Sequence, residues 1–176
     1  LYGLDYNFNY SDRNGFVWDS NLLLSLGTTY ISGSKFLKKA DDRFEIGSLV
    51  GKQINQYWSY SGLFNIKTQL LPGYRFYNEG DVEMREKVSQ FLSPMILQVG
   101  LGWYYKKKNN NFRINLSPLT GRAISVSKRY TENLAQGAKY FGVDAQKRSK
   151  LFFGALISGF YKREIMKNII WENNFS

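Results

Sequence analysis

The chain contains no histidine and no cysteine. Without imidazole there is no zinc site of the usual kind and no nucleophile activated by a histidine base. Without thiols there are no disulfides, iron–sulfur ligands or cysteine nucleophiles. Proline is scarce, at 3 in 176 residues, and the composition of 22% charged and 17% aromatic residues is not that of a disordered chain, a collagen or a coiled coil. No stretch approaches the roughly 18 consecutive apolar residues of a membrane-spanning helix. The first twenty residues lack the basic start and apolar run of a secretory signal. Beginning at Leu1 and ending at Ser176 in what reads as an unfinished strand, the sequence is expected to be part of a longer one.

What is present is a period of two. Tyr2, Leu4, Tyr6, Phe8 and Tyr10 alternate with Gly3, Asp5, Asn7 and Asn9. Phe16, Trp18, Leu22, Leu24, Leu26 and Tyr30 alternate with Asp19, Asn21, Ser25, Gly27 and Thr29, with Val17 and Leu23 out of pattern. Further strands are predicted around Phe44–Val50, Trp58–Leu70, Met95–Tyr105 and Phe112–Leu116, with weaker ones over Leu151–Tyr161 and from Lys167 onward. Several of these exceed the 5 to 6 residues of an ordinary strand and suit the about 9 to 11 residues of a tilted transmembrane one.

The connections alternate in length. Ser11–Gly15, Gly51–Gln56, Lys106–Asn111 and Lys162–Asn168 are short, whereas Ile31–Asp41, Leu71–Ser93 and Leu119–Lys150 are long. Outer-membrane barrels have this layout, with short periplasmic turns and longer outside loops. Asn14-Gly15 is a hairpin signal, and Pro72, Pro94 and Pro118 are expected at strand ends beside the long loops. Tyr10, Phe16, Trp18, Tyr57, Trp58, Tyr104 and Tyr105 suit an interfacial girdle.

Within the strands, Asp5, Asp19, Arg43, Glu45, Lys67, Arg113 and Glu172 all take the polar parity, a set suited to pairing across a lumen. The net charge of +10 therefore resides in the connections. The longest, Leu119–Lys150, holds 7 basic and 2 acidic residues. Its Arg122, Lys128, Arg129, Lys147, Arg148 and Lys150 are candidates for contact with lipid phosphate or a partner protein, against the alternative of a merely solvated loop. With the short turns periplasmic, the first strand runs down and the last runs up. A bacterial barrel starts and ends in the periplasm with an even strand count, so a barrel of ten or more strands is expected, seen here in part as one domain over 1–176.

Other chemistry is weaker. Gly100-x-Gly102 lies inside a strand with no helix after it, which argues for room or curvature on the lumen face rather than a nucleotide cradle. Ser117–Arg122 is expected to be a tight strand exit with Gly121 in a special conformation, and a binding loop is the alternative. Lys106–Lys108 beside Phe112 resembles a nucleic-acid patch, but no basic stripe extends it, and a solvated hairpin tip is the better reading. Asp81–Gln90, with Met84 and Val88 at i, i+4, is either a short lid helix or ordinary loop packing. A carboxylate pair such as Asp5 and Asp19 could act as acid and base, but paired lumen charges are the ordinary filling of a barrel. No catalytic, cofactor or metal site is therefore expected, and no enzyme.

The segments Trp58–Tyr74, Ser93–Tyr105, Asn115–Arg122, Tyr140–Val143 and Asn168–Ser176 together resemble an uncharacterised family of outer-membrane β-barrel proteins from Bacteroidota, a domain of unknown function. Before residue 55 the likeness is one of texture. The resemblance implies a barrel fold and an address in the outer membrane of a Gram-negative bacterium, with no activity or catalytic residues to carry over. The expectation is an all-β, antiparallel up-and-down transmembrane barrel with about eight strands visible. It is expected to be non-enzymatic, a structural or accessory member of an outer-membrane assembly, with lipopolysaccharide and other outer-membrane lipids, and other membrane proteins, as its partners and no nucleic acid among them. Two alternatives stand: a soluble up-and-down barrel carrying an apolar ligand inside, and a narrow outer-membrane pore.

Overall fold

The computed structural model describes residues 1–32, 35–80, 82–107, 109, 111–167 and 169–176. Among the described residues twelve strands form: β1 (Tyr2–Ser11), β2 (Phe16–Thr29), β3 (Lys38–Gln53), β4 (Trp58–Thr68), β5 (Gly73–Glu79), β6 (Val82–Ser89), β7 (Met95–Lys106), β8 (Phe112–Ser125), β9 (Lys139–Tyr140), β10 (Val143–Asp144), β11 (Ser149–Met166) and β12 (Ile169–Phe175). A single 3-10 turn, Lys128–Tyr130, is the sole helical element among the described residues. Eight strands make one curled antiparallel sheet in the order β1-β2-β3-β4-β7-β8-β11-β12, a half-barrel meander.

The register carries the alternation intact from strand to strand. Asn7 faces Asn21, Asn21 faces Gly47, Gly47 faces Asn65, and Asn65 faces Gln98. A one-residue slip at any pair would turn that strand's apolar set to the other face. The direction of curl follows from contacts that skip a strand. Ser61 on β4 donates to Asn115 on β8 at 3.0 Å, passing over Gly102 of the intervening β7. Such a contact is possible only on the inside of the bend. The polar parity is therefore concave and the apolar parity convex.

Glycine makes this geometry possible. A Cβ on Gly102 would stand 1.9 Å from the carbonyl oxygen of Leu116, and one on Gly47 would meet the Asn21 amide. The β8 backbone crowds Gly102 because it bulges there. Gly102 falls where the β7–β8 register shifts, between Leu101/Leu119 and Trp103/Leu116, and the β8–β11 register shifts at the same level. Pro118 sits in that bulge, where a missing N–H costs the ladder least.

Several expected boundaries move. Pro118 does not end a strand, and Ser117–Arg122 is no exit, since β8 continues to Ser125 with Gly121 in extended backbone beneath the Phe153 ring. The predicted loop Leu119–Lys150 shrinks to 126–148, because the bulge shifts the phase of alternation and hides the rest of the strand from a strict period of two. β3 starts at Lys38, inside the predicted loop Ile31–Asp41, and β11 runs through Lys162 to Met166. Leu71–Ser93 contains the β5–β6 hairpin, so β6 replaces any helix over Asp81–Gln90; Asp81 itself lies outside the described residues, as do Gly33, Ser34, Lys108, Asn110 and Asn168. The Asn14-Gly15 signal holds, with Gly15 at φ +77° and the Asp12 carboxylate accepting from the Phe16 N–H at 2.8 Å.

The glycine constraint is testable by chemical unfolding followed by tryptophan fluorescence. Gly102→Ala should cost about 1–3 kcal/mol or more, since backbone must move to admit the methyl. Gly62→Ala, on the convex face where the nearest atom is Leu101 Cδ2 at 3.6 Å, should be nearly neutral.

Candidate functional site

Two regions carry the chain's polar chemistry: the concave face and the end of the sheet where the long connections gather. On the concave face the register places all seven predicted charges, Asp5, Asp19, Arg43, Glu45, Lys67, Arg113 and Glu172, on one surface. It brings together only some of them. Lys67 and Glu45 form an ion pair at 2.8 Å, and Asn65 donates to the same carboxylate at 3.1 Å. Glu172 pairs with Lys162, which belongs to β11 rather than to the predicted turn. Asp5 accepts from Asn7 at 3.1 Å. Arg113 stands with its guanidinium carbon 4.4 Å over the Phe160 ring.

Two chambers lie along the concave face, open on the side that the half-barrel leaves uncovered. The larger, of about 720 Å³, is lined largely by amides and hydroxyls, among them Asn7, Asn21, Asn65, Asn115, Ser158 and Asn174. The smaller, of about 400 Å³, lies toward the short turns and includes Gln53, Asn55, Tyr57, Lys106 and Lys107. Asp19, Leu49, Tyr104 and Arg113 line both and mark the level where they meet. Tyr104 therefore faces the interior and is not part of an outer girdle. The other girdle candidates do lie together. Tyr57 stacks on Tyr105, Trp58 meets Tyr105 edge-on, and ring contacts continue through Phe112 and Tyr161 to Trp171, at the short-turn end. Tyr10 contacts Phe16, and Phe8 contacts Trp18.

At the opposite end the long connections fold onto one another. The buried apolar residues Ile124, Val126 and Val143 cluster there, with Ile96 and Tyr140 against them. Tyr140 donates to the Val88 carbonyl and so ties the β9–β10 turn to β6. Burial, with the Tyr130 phenol beside it, pushes the Tyr140 phenol up to about 12, so it remains a donor at any physiological pH. The Ser93 hydroxyl accepts from the Ser127 N–H at 2.8 Å.

The six predicted contact residues do not form one patch. Arg122 lies on β8, opposite Gln98 and Phe152 and facing the interior, and Lys150 lies on β11. Lys128 pairs with Glu132 at 3.8 Å. Lys147 and Lys150 both converge on Asp144 at 3.6 Å, with Lys139 at 4.0 Å. Arg129 and Arg148 are left without a carboxylate partner among the described residues. No local pattern in the sequence announces the focus of three lysines on Asp144, because it depends on how the loop folds back between Lys139 and Lys150. Among the described residues no group of three or more acidic side chains is placed to hold a metal ion.

Residues 1–74 match the model of a family described as a protein of unknown function (DUF3078). The match covers β1 to β4 and the start of β5, and meets the segments that carry the resemblance only over Trp58–Tyr74. No curated protein and no solved structure matches the chain.

Burial alone raises the pKa of Asp144, but the fields of Lys150, Lys147 and Lys139 and a hydrogen bond from Lys147 outweigh it, and the carboxyl titrates below its ordinary 3.8. A lowered carboxylate pKa contributes stability that is complete above the ordinary value and is lost as the pH falls through the lowered one. Amide exchange at Lys147, whose N–H donates to the Asp144 carbonyl at 3.1 Å, should therefore be pH-corrected and constant above 3.8 and accelerate below it. In Asp144→Asn it should be faster throughout and show no such step.

Proposed function

We propose that this chain forms wall of a non-enzymatic outer-membrane β-barrel in a Gram-negative bacterium of the Bacteroidota, a structural or accessory member of an outer-membrane assembly. The observation that carries the reading is the sense of the curl. Large apolar side chains crowd the convex surface, with Leu101 at 61%, Phe153 at 81% and Ile157 at 54% exposure, while amides and charges line the concave one. Lipid would cover the first and water the second, as alternation in transmembrane barrels requires. A soluble carrier of apolar ligands needs the opposite curl, with its apolar parity inside.

The layout of connections supports the same reading. All long connections gather at one end of the sheet and all short turns at the other, where the aromatic chain from Tyr57 to Trp171 matches an interfacial belt. The long-loop end then faces outward and offers Arg129 and Arg148 to anionic lipid headgroups or a partner. The narrow-pore alternative draws on the meeting of the two chambers at Asp19 and Arg113. A barrel of about 8 strands is filled by its side chains, and open aqueous channels come with about 16 to 18, so little steady conductance is expected of a barrel of ten to fourteen.

Neighbouring residues of β11 test the facing. Ile157→Arg, on the convex side midway along the strand, should destabilise the barrel by about 2–4 kcal/mol in bilayers. Ser158→Arg, on the concave side, should be tolerated better, and equal or reversed costs measured by urea unfolding in liposomes would overturn the assignment. Fractionation of the source cells should recover the intact protein only in detergent; a stable monomer in detergent-free buffer would favour the carrier.

Outward contact is tested separately. Arg129→Gln with Arg148→Gln should leave the fold intact and weaken binding to lipopolysaccharide micelles severalfold, by about 1 kcal/mol for two exposed charge-assisted contacts. Unchanged binding would assign these arginines to a solvated loop.

A further inference from the structure

We propose that the level where the two interior chambers meet is a binding site for a small anionic solute, one carrying a carboxylate or phosphate group, with Arg113 as its anchor. The inference takes from the preceding section only that the concave face is a water-filled interior. It does not depend on where the protein resides.

Arg113 is held as a binding arginine would be. Its Nε has no hydrogen-bond partner among the described residues and no access to solvent, which is an uncommon state for a buried guanidinium N–H. The Phe160 ring lies 4.4 Å under the guanidinium carbon and supports the fork from one face, and the terminal nitrogens are the groups that would receive a planar or tetrahedral oxyanion. Tyr104 lines both chambers together with Arg113 and brings its phenol to the same level. Lys106 pairs with Arg113 in the β7–β8 register and shares its face, and Lys107 lines the same chamber. Three cations thus face one acidic residue, Asp19, at the junction and in the lower chamber.

The rest of the surroundings decides the kind of anion. Above the junction the larger chamber presents Asn7, Asn9, Asn115 and Asn174, neutral groups that both donate and accept. They suit a solute whose remainder is hydroxylated or amide-bearing. The apolar side chains there, Leu49, Leu63, Phe64, Leu156, Phe160 and Phe175, alternate with these amides, so a long acyl chain would have to cover polar groups along its length. Asp19 competes with the solute for the same cations, and a carboxylate beside an anion site weakens it.

The test is isothermal titration of the full-length, detergent-solubilised protein with inorganic phosphate, with succinate and with uncharged erythritol at low ionic strength. Phosphate or succinate should bind, and which of them binds tells a phosphoryl from a carboxyl ligand. Erythritol should not bind. Arg113→Gln should weaken binding about tenfold, as expected for losing hydrogen bonds to a charged group. Arg113→Lys, which keeps the charge but loses the fork, should fall between. Asp19→Asn should tighten binding, a change of opposite sign that loss of fold does not produce. Absence of heat with both anions, equal affinity for erythritol, wild-type binding by a folded Arg113→Gln, or weaker binding by a folded Asp19→Asn would each overturn the proposal. Because every arm is read in detergent, a positive result stands even if fractionation places the protein outside the outer membrane.

Discussion

A sheet can bend around its own polar face only if that face is thin at the points of greatest crowding. Gly102 supplies that thinness where β8 bulges toward β7, and Gly47 supplies it between the Asn21 and Asn65 amides. With those side chains absent, residues two strands apart reach each other, as Ser61 and Asn115 do, and Asn115 in turn donates to Ser117 at 3.2 Å. The hydrogen bonds hold the curl and the glycines permit it. Reversing the curl would bury aromatic and branched side chains where no glycine makes room and would strand the amides outside. The choice of which face is inward thus follows from a few small residues and not from the average polarity of either face.

The distribution of burial follows from that curl. Ile124, Val126 and Val143 are the buried apolar residues among those described, and all three belong to the long-loop end. Among the described residues the sheet is one layer with no covering helix, so in water its convex face would contribute little hydrophobic stabilisation. Its integrity then rests on ladder hydrogen bonds, on the aromatic contacts across neighbouring strands and, in the proposed setting, on lipid against the convex face. The edge strands β1 and β12, exposed along their length, show the same dependence from another side: each offers one unpaired row of backbone donors and acceptors.

Much of this was legible in the sequence because alternation is a strong signal when the two faces differ this much. The first, second, fourth and fifth strands appear close to where the period of two places them, and the charges of the polar parity do share a face. The failures have local physical causes. The bulge at Pro118 shifts inward-facing positions from Arg113, Asn115 and Ser117 to Thr120, Arg122 and Ile124, so a strand that continues looked like one that stops. The β5–β6 hairpin carries charged residues on both sides, and Met84 with Val88 mimicked a helical spacing. Arg122 and Lys150 were grouped with loop cations by neighbourhood in sequence, whereas the ladder sets both on strands. The meeting of Asp19 with Tyr104 and Arg113 joins residues from three strands, and no local pattern announces it.

The two ends of the sheet differ in how they are fixed, and this gives the molecule a direction. At the long-loop end a buried carboxylate does the fixing: Asp42, its side chain 1% exposed, accepts from the Leu70 and Leu71 N–H groups at 2.8 and 2.9 Å and from Lys39 at 2.8 Å. Lys39 also reaches Gln69 Oε1 and the Leu71 carbonyl, so one ion pair ties the start of β3 to the exit of β4. Arg85 lies over both Phe36 and Tyr74, which draws the β5–β6 hairpin onto the connection before β3. Connections held in this way have little conformational freedom left to lose. Among the described residues the short turns have no comparable core and are framed by aromatic rings instead. A chain with this division presents a preorganised polar surface at one end and an aromatic rim at the other.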